Sequence, residues 1–302
     1  MIKKDLYNEL IEIVNKSNVK IDEEMKNHTS LRVGGKVDFL IEPTSEKEIE
    51  SLVKLMIKSK VPYYIIGRGS NLLVKDEGIN GVVIKITDKY SGIDRNNNVL
   101  TVKSGTSLAS VAKYAYKNSL SGIEFASGIP GSIGGAIAMN AGAYGGEMKD
   151  IIESVKIVDD LGNIRVLSNN DMEFSYRRSL LTNNPLYAVL EVVINLTDGD
   201  KEVIYTEMKT RADKRTLSQP LEKCNCGSTF KRPEGHFAGQ LIEECGLKGF
   251  TMNGVEVSSK HAGFIVNNGK TTATNMINMI QLVKEKVKEK FNIELEEEVK
   301  II

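Results

Sequence analysis

The 302-residue chain has no tryptophan, three cysteines, three histidines and no net charge. The missing tryptophan excludes nothing. Equal numbers of basic and acidic residues, 40 of each, leave no global field to draw the chain to nucleic acid or to an anionic membrane surface. Cys224, Cys226 and Cys245 are too few for a disulfide scaffold. The first two stand too close for a comfortable bridge, and no ligand cluster around them indicates zinc. No stretch approaches the ~18 consecutive apolar residues of a membrane span. The opening MIKKDLYNELIEIVNKSNVK sets charges between Leu6, Leu10, Ile13 and Val14, unlike the uninterrupted apolar core of a signal peptide. The expectation is a cytoplasmic protein with no metal site, no membrane contact and no nucleic-acid partner.

The remaining composition is ordinary for a globular protein: 41% apolar and 26% charged residues. The length suits about two domains of ~150 residues and allows burial of ~75% of the unfolded surface without staples. Helical periodicity marks 45–60, 106–120, 201–214, 237–245 and 274–291, besides the leading helix. Strands are expected at 61–66, 81–86, 99–103 and 187–196, and across 293–302. Val155–Val158 and Ile164–Leu167 flank the turn Asp159-Asp160-Leu161-Gly162-Asn163 as a hairpin. Thr197-Asp198-Gly199-Asp200 is the strongest boundary signal. Mixed helices, strands and hairpins without a repeating βαβ unit indicate an α+β class.

Glycine concentrates in two segments. Gly67-Arg68-Gly69-Ser70-Asn71-Leu72 comes directly after a strand, and Gly128-Ile129-Pro130-Gly131-Ser132-Ile133-Gly134-Gly135-Ala136 runs on to Asn140 and Tyr144. Glycine admits positive φ and close approach of a ligand to the main chain, and successive exposed amides form an anion nest. Each segment alone has a plainer reading, as a strand-to-loop turn or as tight packing. Together they point to a dinucleotide cofactor. The spacing is neither the Rossmann fingerprint nor a Walker loop.

At these residues the chain resembles the UDP-N-acetylenolpyruvoylglucosamine reductase family. GRGSNLLVKDEGINGVVI (67–84) and GIPGSIGGAIAMNAGAYGGE (128–147) are similar to its two FAD-contacting loops. FSYRRS (174–179), GSTFKRP (227–233) and LEEEV (295–299) resemble its three catalytic stretches in order, and NHTSLRVGG (27–35) fits its upstream pattern. The short stretch from Leu181 to Lys201 resembles the shorter, second class of the family.

The resemblance implies a two-subdomain FAD-binding fold of the vanillyl-alcohol-oxidase type plus a C-terminal α+β substrate-binding domain. The implied layout is an N-terminal helix (1–20), an FAD-binding domain (21–197, subdomains about 21–87 and 88–197) and a substrate domain (198–302). It implies non-covalent FAD, NADPH as co-substrate, and reduction of the enolpyruvyl ether of UDP-N-acetylglucosamine enolpyruvate to UDP-N-acetylmuramate. Both substrates are expected to share one cleft, in a monomer. FAD contacts fall to Gly67, Arg68, Gly69, Ser70, Asn71, Leu72, Gly128, Ile129, Pro130, Gly131, Ser132, Gly134, Gly135, Ala136 and Asn140.

The chemistry needs a carboxylate clamp, stabilisation of developing charge and one proton. By resemblance Arg177 is the clamp, Ser228 the proton donor and Glu298 the polarising acid. Strand alternation sets Glu298 on the face opposite Leu295 and Val299, so either that face lines the site or a bulge changes parity. Tyr144, Arg211, Lys214, Arg215, Gln219, Lys231 and Arg232 are candidates for the UDP-sugar. Cys226, beside Ser228, is a candidate oxidant-sensitive thiol. Two rivals stay open at this point: a flavin oxidase of the same fold, and a non-catalytic nucleotide-binding module.

Overall fold

Three of the helices begin where the sequence offers a capping oxygen. Ser45 Oγ accepts the Glu48 N–H at the start of Glu46–Ser59, Ser107 Oγ that of Ser110 at Leu108–Lys117, and Thr272 Oγ1 that of Asn275 at Ala273–Phe291. Each satisfies an amide that the first turn would otherwise leave without a partner. The computed structural model describes residues 3–302. The leading helix is Lys3–Ile13, and the first two residues of the expected 1–20 segment lie outside the described residues.

The chain forms two compact units. The first comprises 3–23, Asp38–Arg68 and Asn80–Asp213; the second comprises Glu24–Val37, Gly69–Ile79 and Lys214–Ile302. In the first, a five-stranded antiparallel sheet has the order Ile164–Ser168, Ile152–Val158, Ala188–Asn195, Val99–Lys103, Ile93–Asn96. The hairpin and the central strand therefore stand where periodicity set them. A four-stranded sheet orders Val19–Glu24, Lys36–Ile41, Ile79–Lys85 and Tyr63–Ile66, the last two parallel. Two cores form. Leu100, Val111, Ile133, Val155 and Val192 fill one, and Leu10, Phe39, Leu52, Met56 and Ile84 the other, to which Val158, Ala188 and Leu190 of the five-stranded sheet contribute as well.

The second unit packs Ala238–Glu244 and Ala273–Phe291 on a four-stranded antiparallel sheet ordered Cys224–Asn225, Ile265–Asn267, Val255–Val257, Thr251–Met252. Two segments from early in the sequence join it through specific polar bonds. The Asn267 amide, buried, donates to Leu31 O at 2.8 Å. Asp76 accepts the N–H groups of Ala273 and Thr274 at 2.8 Å each, placing a carboxylate on the positive end of the long helix.

Three sequence expectations shift. The helix expected to Leu120 stops at Lys117, and Leu120–Ser121 instead pairs with Thr197–Asp198. The boundary signal at 197–200 is thus paired backbone, and the units divide at Asp213, inside the helix Lys201–Ser218. The expected terminal strand over 293–302 reduces to Lys300–Ile301, parallel to Leu72–Leu73, and a single bridge between Phe230 and Glu297.

Within the second unit Glu256 is 7% exposed and meets Lys223 Nζ, Asn268 Nδ2 and Ser259 N. Burial alone would raise its carboxyl, but these donors hold it at about 2, against 4.5 ordinarily. A depressed folded-state value stabilises the fold above about pH 4.5, and that contribution fades as pH falls toward 2. It amounts to at most about 3 kcal/mol before solvent screening. Glu256→Gln should therefore lower the urea midpoint at pH 7 but make little difference near pH 2.5, as monitored by circular dichroism.

Candidate active site

Gly67 closes the strand Tyr63–Ile66, and a β-carbon there would stand 2.3 Å from Ser132 Oγ. Ser132 occupies the N-cap position of Ile133–Ala138, yet its hydroxyl makes no capping bond. That hydroxyl is buried and has no hydrogen-bond partner, and the same is true of Arg68 Nε. The Arg68 guanidinium also pairs with Asp88. A β-carbon at Gly135 would meet only the same Ser132 Oγ, at 3.6 Å. Gly134 faces the other way: its N–H donates to Ser104 O at 2.9 Å, and a β-carbon would crowd Ser104 and Val189. Ala136 is likewise in the core. Gly134 and Ala136 are small because they pack on the sheet. Gly128–Gly131 is pinned by Ile129 N on Ala126 O and Leu108 N on Gly131 O.

The first glycine segment continues in the second unit. Gly69 has φ +67, and a β-carbon would lie 2.1 Å from His28 O. Ser30 N donates to Gly69 O, and Ser30 Oγ to Ser70 O. Asn71, expected to serve the cofactor, turns its side-chain amide to Glu298 O at 3.0 Å, while Lys300 N donates to Asn71 O. Leu72 is buried in the pairing with Lys300.

Arg177 lies in the first unit, at the corner of a turn closed by Ser175 N on Arg178 O and Arg178 N on Ser175 O. Its φ is +55, the sign that glycine or asparagine normally supplies at the third position of a type II turn. The guanidinium lies 5.4 Å from the Tyr176 ring centre. Tyr144 is also left-handed, with φ +53, at the tip of the Gly142–Ala143/Gly146–Glu147 hairpin, and its hydroxyl donates to Arg211 O. Asn140, expected among the cofactor contacts, directs both N–H donors of its side chain inward, to Glu147 Oε2 and Ser175 O.

Ser228 lies in the second unit, exposed, directly after Gly227 with φ +81. Asn225 Oδ1 accepts the Gly227 N–H at 2.9 Å, and Thr229 is locked by Gly263 O and Ile265 N. Sequence reasoning missed Asn225, although Asn-x-Gly is an Asx-turn pattern. Glu298 resolves the parity question. Thr229 O accepts both Glu298 N, at 2.8 Å, and Val299 N, at 3.4 Å, so a bulge interrupts the alternation. Its neighbours are tied off: Glu294 to Lys288, Glu296 to Lys231, Glu297 to Lys284.

Cys226 is fully buried. Burial raises its thiol to about 12, with the charge of Glu298 adding to the effect, which disfavours the thiolate that oxidants and electrophiles attack and argues against the expected oxidant sensitivity. Of the basic candidates, Arg211 pairs with Glu207, Arg215 Nε donates to Gln219 Oε1, and the Arg232 guanidinium lies 4.4 Å from the Phe237 ring centre. Lys214 is exposed. At Gly263, whose carbonyl accepts the Thr229 N–H, a β-carbon would sit tightly against His261 Cε1, at 3.0 Å.

Comparison with known families gives a match of residues 219–302 to the UDP-N-acetylenolpyruvoylglucosamine reductase C-terminal domain and of 37–168 to an FAD binding domain. The UDP-N-acetylenolpyruvoylglucosamine reductase of Clostridioides difficile (strain 630) is 48% identical over 302 residues, covering 100% of this chain and 99% of the relative. The chain belongs to the UDP-N-acetylenolpyruvoylglucosamine reductase family. The reductase of Clostridium tetani (strain Massachusetts / E88) is 48% identical over 299 residues, or 99% of this chain and 97% of its own. A crystal structure of the reductase from Thermus caldophilus superposes with TM-score 0.81 at 33% identity, covering 94% of this chain and 99% of that one. Likeness to the glucose dehydrogenase Phl p 4.0202, at 16% identity and TM-score 0.52 over 65% of this chain and 44% of that one, is one of fold alone. The vanillyl-alcohol-oxidase-type fold and the flavoenzyme assignment stand.

The residues present fit FAD. Two buried polar atoms, Ser132 Oγ and Arg68 Nε, lack partners inside the protein, and a buried donor left so costs about 1–3 kcal/mol. Both lie in the glycine segments, where the backbone stands bare. The reductase is an FAD- and NADPH-dependent oxidoreductase of peptidoglycan synthesis. Among the described residues no helix is long and apolar enough to cross a membrane.

Two measurements check this geometry. Arg177→Gly should unfold at a higher temperature than Arg177→Ala, reversing the usual order, because a left-handed residue with a β-carbon costs about 1–2 kcal/mol. Brief maleimide treatment of the folded enzyme, then peptide mass mapping, should leave Cys226 unmodified, with labelling only after denaturation.

Proposed function

We propose that Arg177, Ser228 and Glu298 carry the reduction of the enolpyruvyl ether to the lactyl ether of UDP-N-acetylmuramate. FAD, when bound, would supply the redox chemistry, relaying a hydride from NADPH to the enolpyruvyl methylene carbon. The protein's own side chains handle the charge and the proton. Charge developing on the neighbouring carbon spreads into its carboxylate, and the Arg177 guanidinium pairs with that carboxylate bidentately while staying charged throughout. Ser228 delivers the proton; an alcohol is a weak acid, so it gives way only to a strongly basic enolate carbon. Glu298 orients and polarises the enolpyruvyl group.

The observation that supports this reading most is the conformation of Arg177. Glycine would take that corner without strain, so an arginine there indicates that the guanidinium itself is required. Ser228 adds support, being exposed on a turn fixed on both sides by hydrogen bonds.

On this proposal FAD is held, without a covalent bond, by Gly67, Arg68, Gly69, Ser70, Gly128, Ile129, Pro130, Gly131, Ser132 and Gly135. The UDP-sugar draws on Tyr144, Arg211, Lys214, Arg215, Gln219, Lys231 and Arg232. Those now in exposed ion pairs can change partner cheaply, because such pairs contribute about 0–1 kcal/mol. Nicotinamide and sugar use one place in turn, since both must reach the same ring. The enzyme acts as a cytoplasmic monomer.

Ser228→Ala should retain flavin and let NADPH bleach it at the wild-type rate in stopped flow. Reoxidation by the enolpyruvyl sugar should slow by about 10²–10⁴-fold, the range of a general acid. Equal reoxidation rates in the variant and the wild type would remove Ser228 from the mechanism.

A further inference from the structure

Asn140 comes just after the helix Ile133–Ala138 of the second glycine segment, has φ +44 and has no exposed surface. Its side chain makes three hydrogen bonds. Nδ2 donates to Glu147 Oε2 at 2.9 Å and to Ser175 O at 3.0 Å, and Oδ1 accepts Lys149 N–H at 3.0 Å. Ser175 O is also the acceptor that closes the Arg177 turn. Beyond that turn, Ser179 Oγ donates to Ala138 O at 2.9 Å. The strained corner bearing Arg177 is thus suspended at both ends from the residues that finish the glycine helix. The bond to Glu147 ties in the hairpin whose tip is Tyr144.

We propose that Asn140 is a positioning residue: its buried amide sets the Arg177 guanidinium against the substrate carboxylate by carrying the turn through Ser175 O. This rests on the reading of Arg177 as the carboxylate clamp. A side chain with both N–H donors engaged inside the protein has none to give a cofactor. Removing it leaves Arg177 present but its turn held at one end, and a misplacement of about 1 Å costs up to about 10²-fold in rate. Glycine at 140 keeps the left-handed backbone at little cost. Aspartate keeps the acceptor for Lys149 but has no N–H for Ser175 O.

The test compares Asn140→Gly, Asn140→Asp, Arg177→Ala and the double variant Asn140→Gly/Arg177→Ala as holoenzymes. In both Asn140 variants the flavin spectrum and its reduction by NADPH should match wild type. Reoxidation by the enolpyruvyl sugar should slow about 10–100-fold, and calorimetric affinity for UDP-N-acetylmuramate should fall. In the Arg177→Ala background the further loss should be under about threefold, because the two positions act as one unit. A shifted flavin spectrum, equal slowing of both half-reactions, or an undiminished effect of Asn140→Gly beside Arg177→Ala overturns the inference. If Arg177→Ala slows reoxidation while neither Asn140 variant does, the inference alone fails. If Arg177→Ala is itself without effect, the clamp reading fails and takes the inference with it.

Discussion

The constraint on which the cofactor site depends is the close approach of bare backbone to Ser132. Gly67 and Gly135 both present an empty β-position to one buried hydroxyl, and that hydroxyl gives up the capping bond its N-cap place would allow. Any side chain at Gly67 would displace it. A serine that neither caps nor pairs is a net cost to the apo fold, and selection tolerates such a cost where a ligand offsets it. Gly134, one residue earlier than Gly135, shows the contrast: its smallness serves sheet packing. The same glycine run therefore does two jobs on opposite sides of one short helix, and composition alone does not separate them.

Backbone strain marks the second requirement. Most left-handed non-glycine residues here finish an element or suit the conformation chemically, as Lys60 and Asn292 do at helix ends and Asn97 and Asn253 do in turns. Arg177 and Tyr144 do neither. Each sets a large side chain at the tip of a tight turn, where glycine would relax the chain. Both turns lead back to the buried amide of Asn140, so the strain is held by a rigid polar anchor in the core. Local strain persists only where the surroundings over-determine it, and three hydrogen bonds from one side chain with no exposed surface meet that condition.

Local order in the fold was legible because it has local causes. Ser45, Ser107 and Thr272 announce helices through their own oxygens, and the Val- and Ile-rich run before Thr197 reads as the central strand it forms. The assignment of 24–37 and 69–79 to the second unit was not legible, since it rests on Asn267 reaching Leu31 and Asp76 reaching Ala273 across most of the sequence. The terminal strand misleads through genuine alternation. A carbonyl at Thr229 that takes two successive amides breaks a period that sequence can only continue. Without a family resemblance Arg177 carries no signal. The internal partners of the Asn71 and Asn140 amides, Glu298 O for one and Glu147 and Ser175 O for the other, were not legible either, because residue type does not say which partner an amide meets.

The acidic run Glu294–Glu298 shows how the fold screens a cluster of carboxylates. An enolate developing near a run of unscreened carboxylates would be disfavoured by like charge. Three of the neighbours are paired with lysines, and the pairs differ in weight. Lys288–Glu294 is largely exposed and screened, whereas Lys284–Glu297 is about 30% exposed on each side and Lys231 only 12%. The pairs with the less exposed lysines are those nearest Glu298 in sequence, although Glu296 itself is 59% exposed. Glu298 is held through its backbone on both sides, its N–H by Thr229 O and its carbonyl by the Asn71 amide. Its negative charge bears on Cys226, the residue two before Ser228. Three of the four acids of this edge, Glu294, Glu296 and Glu297, are thus each held by a lysine of the second unit, which an ordinary solvated acidic strand would not produce.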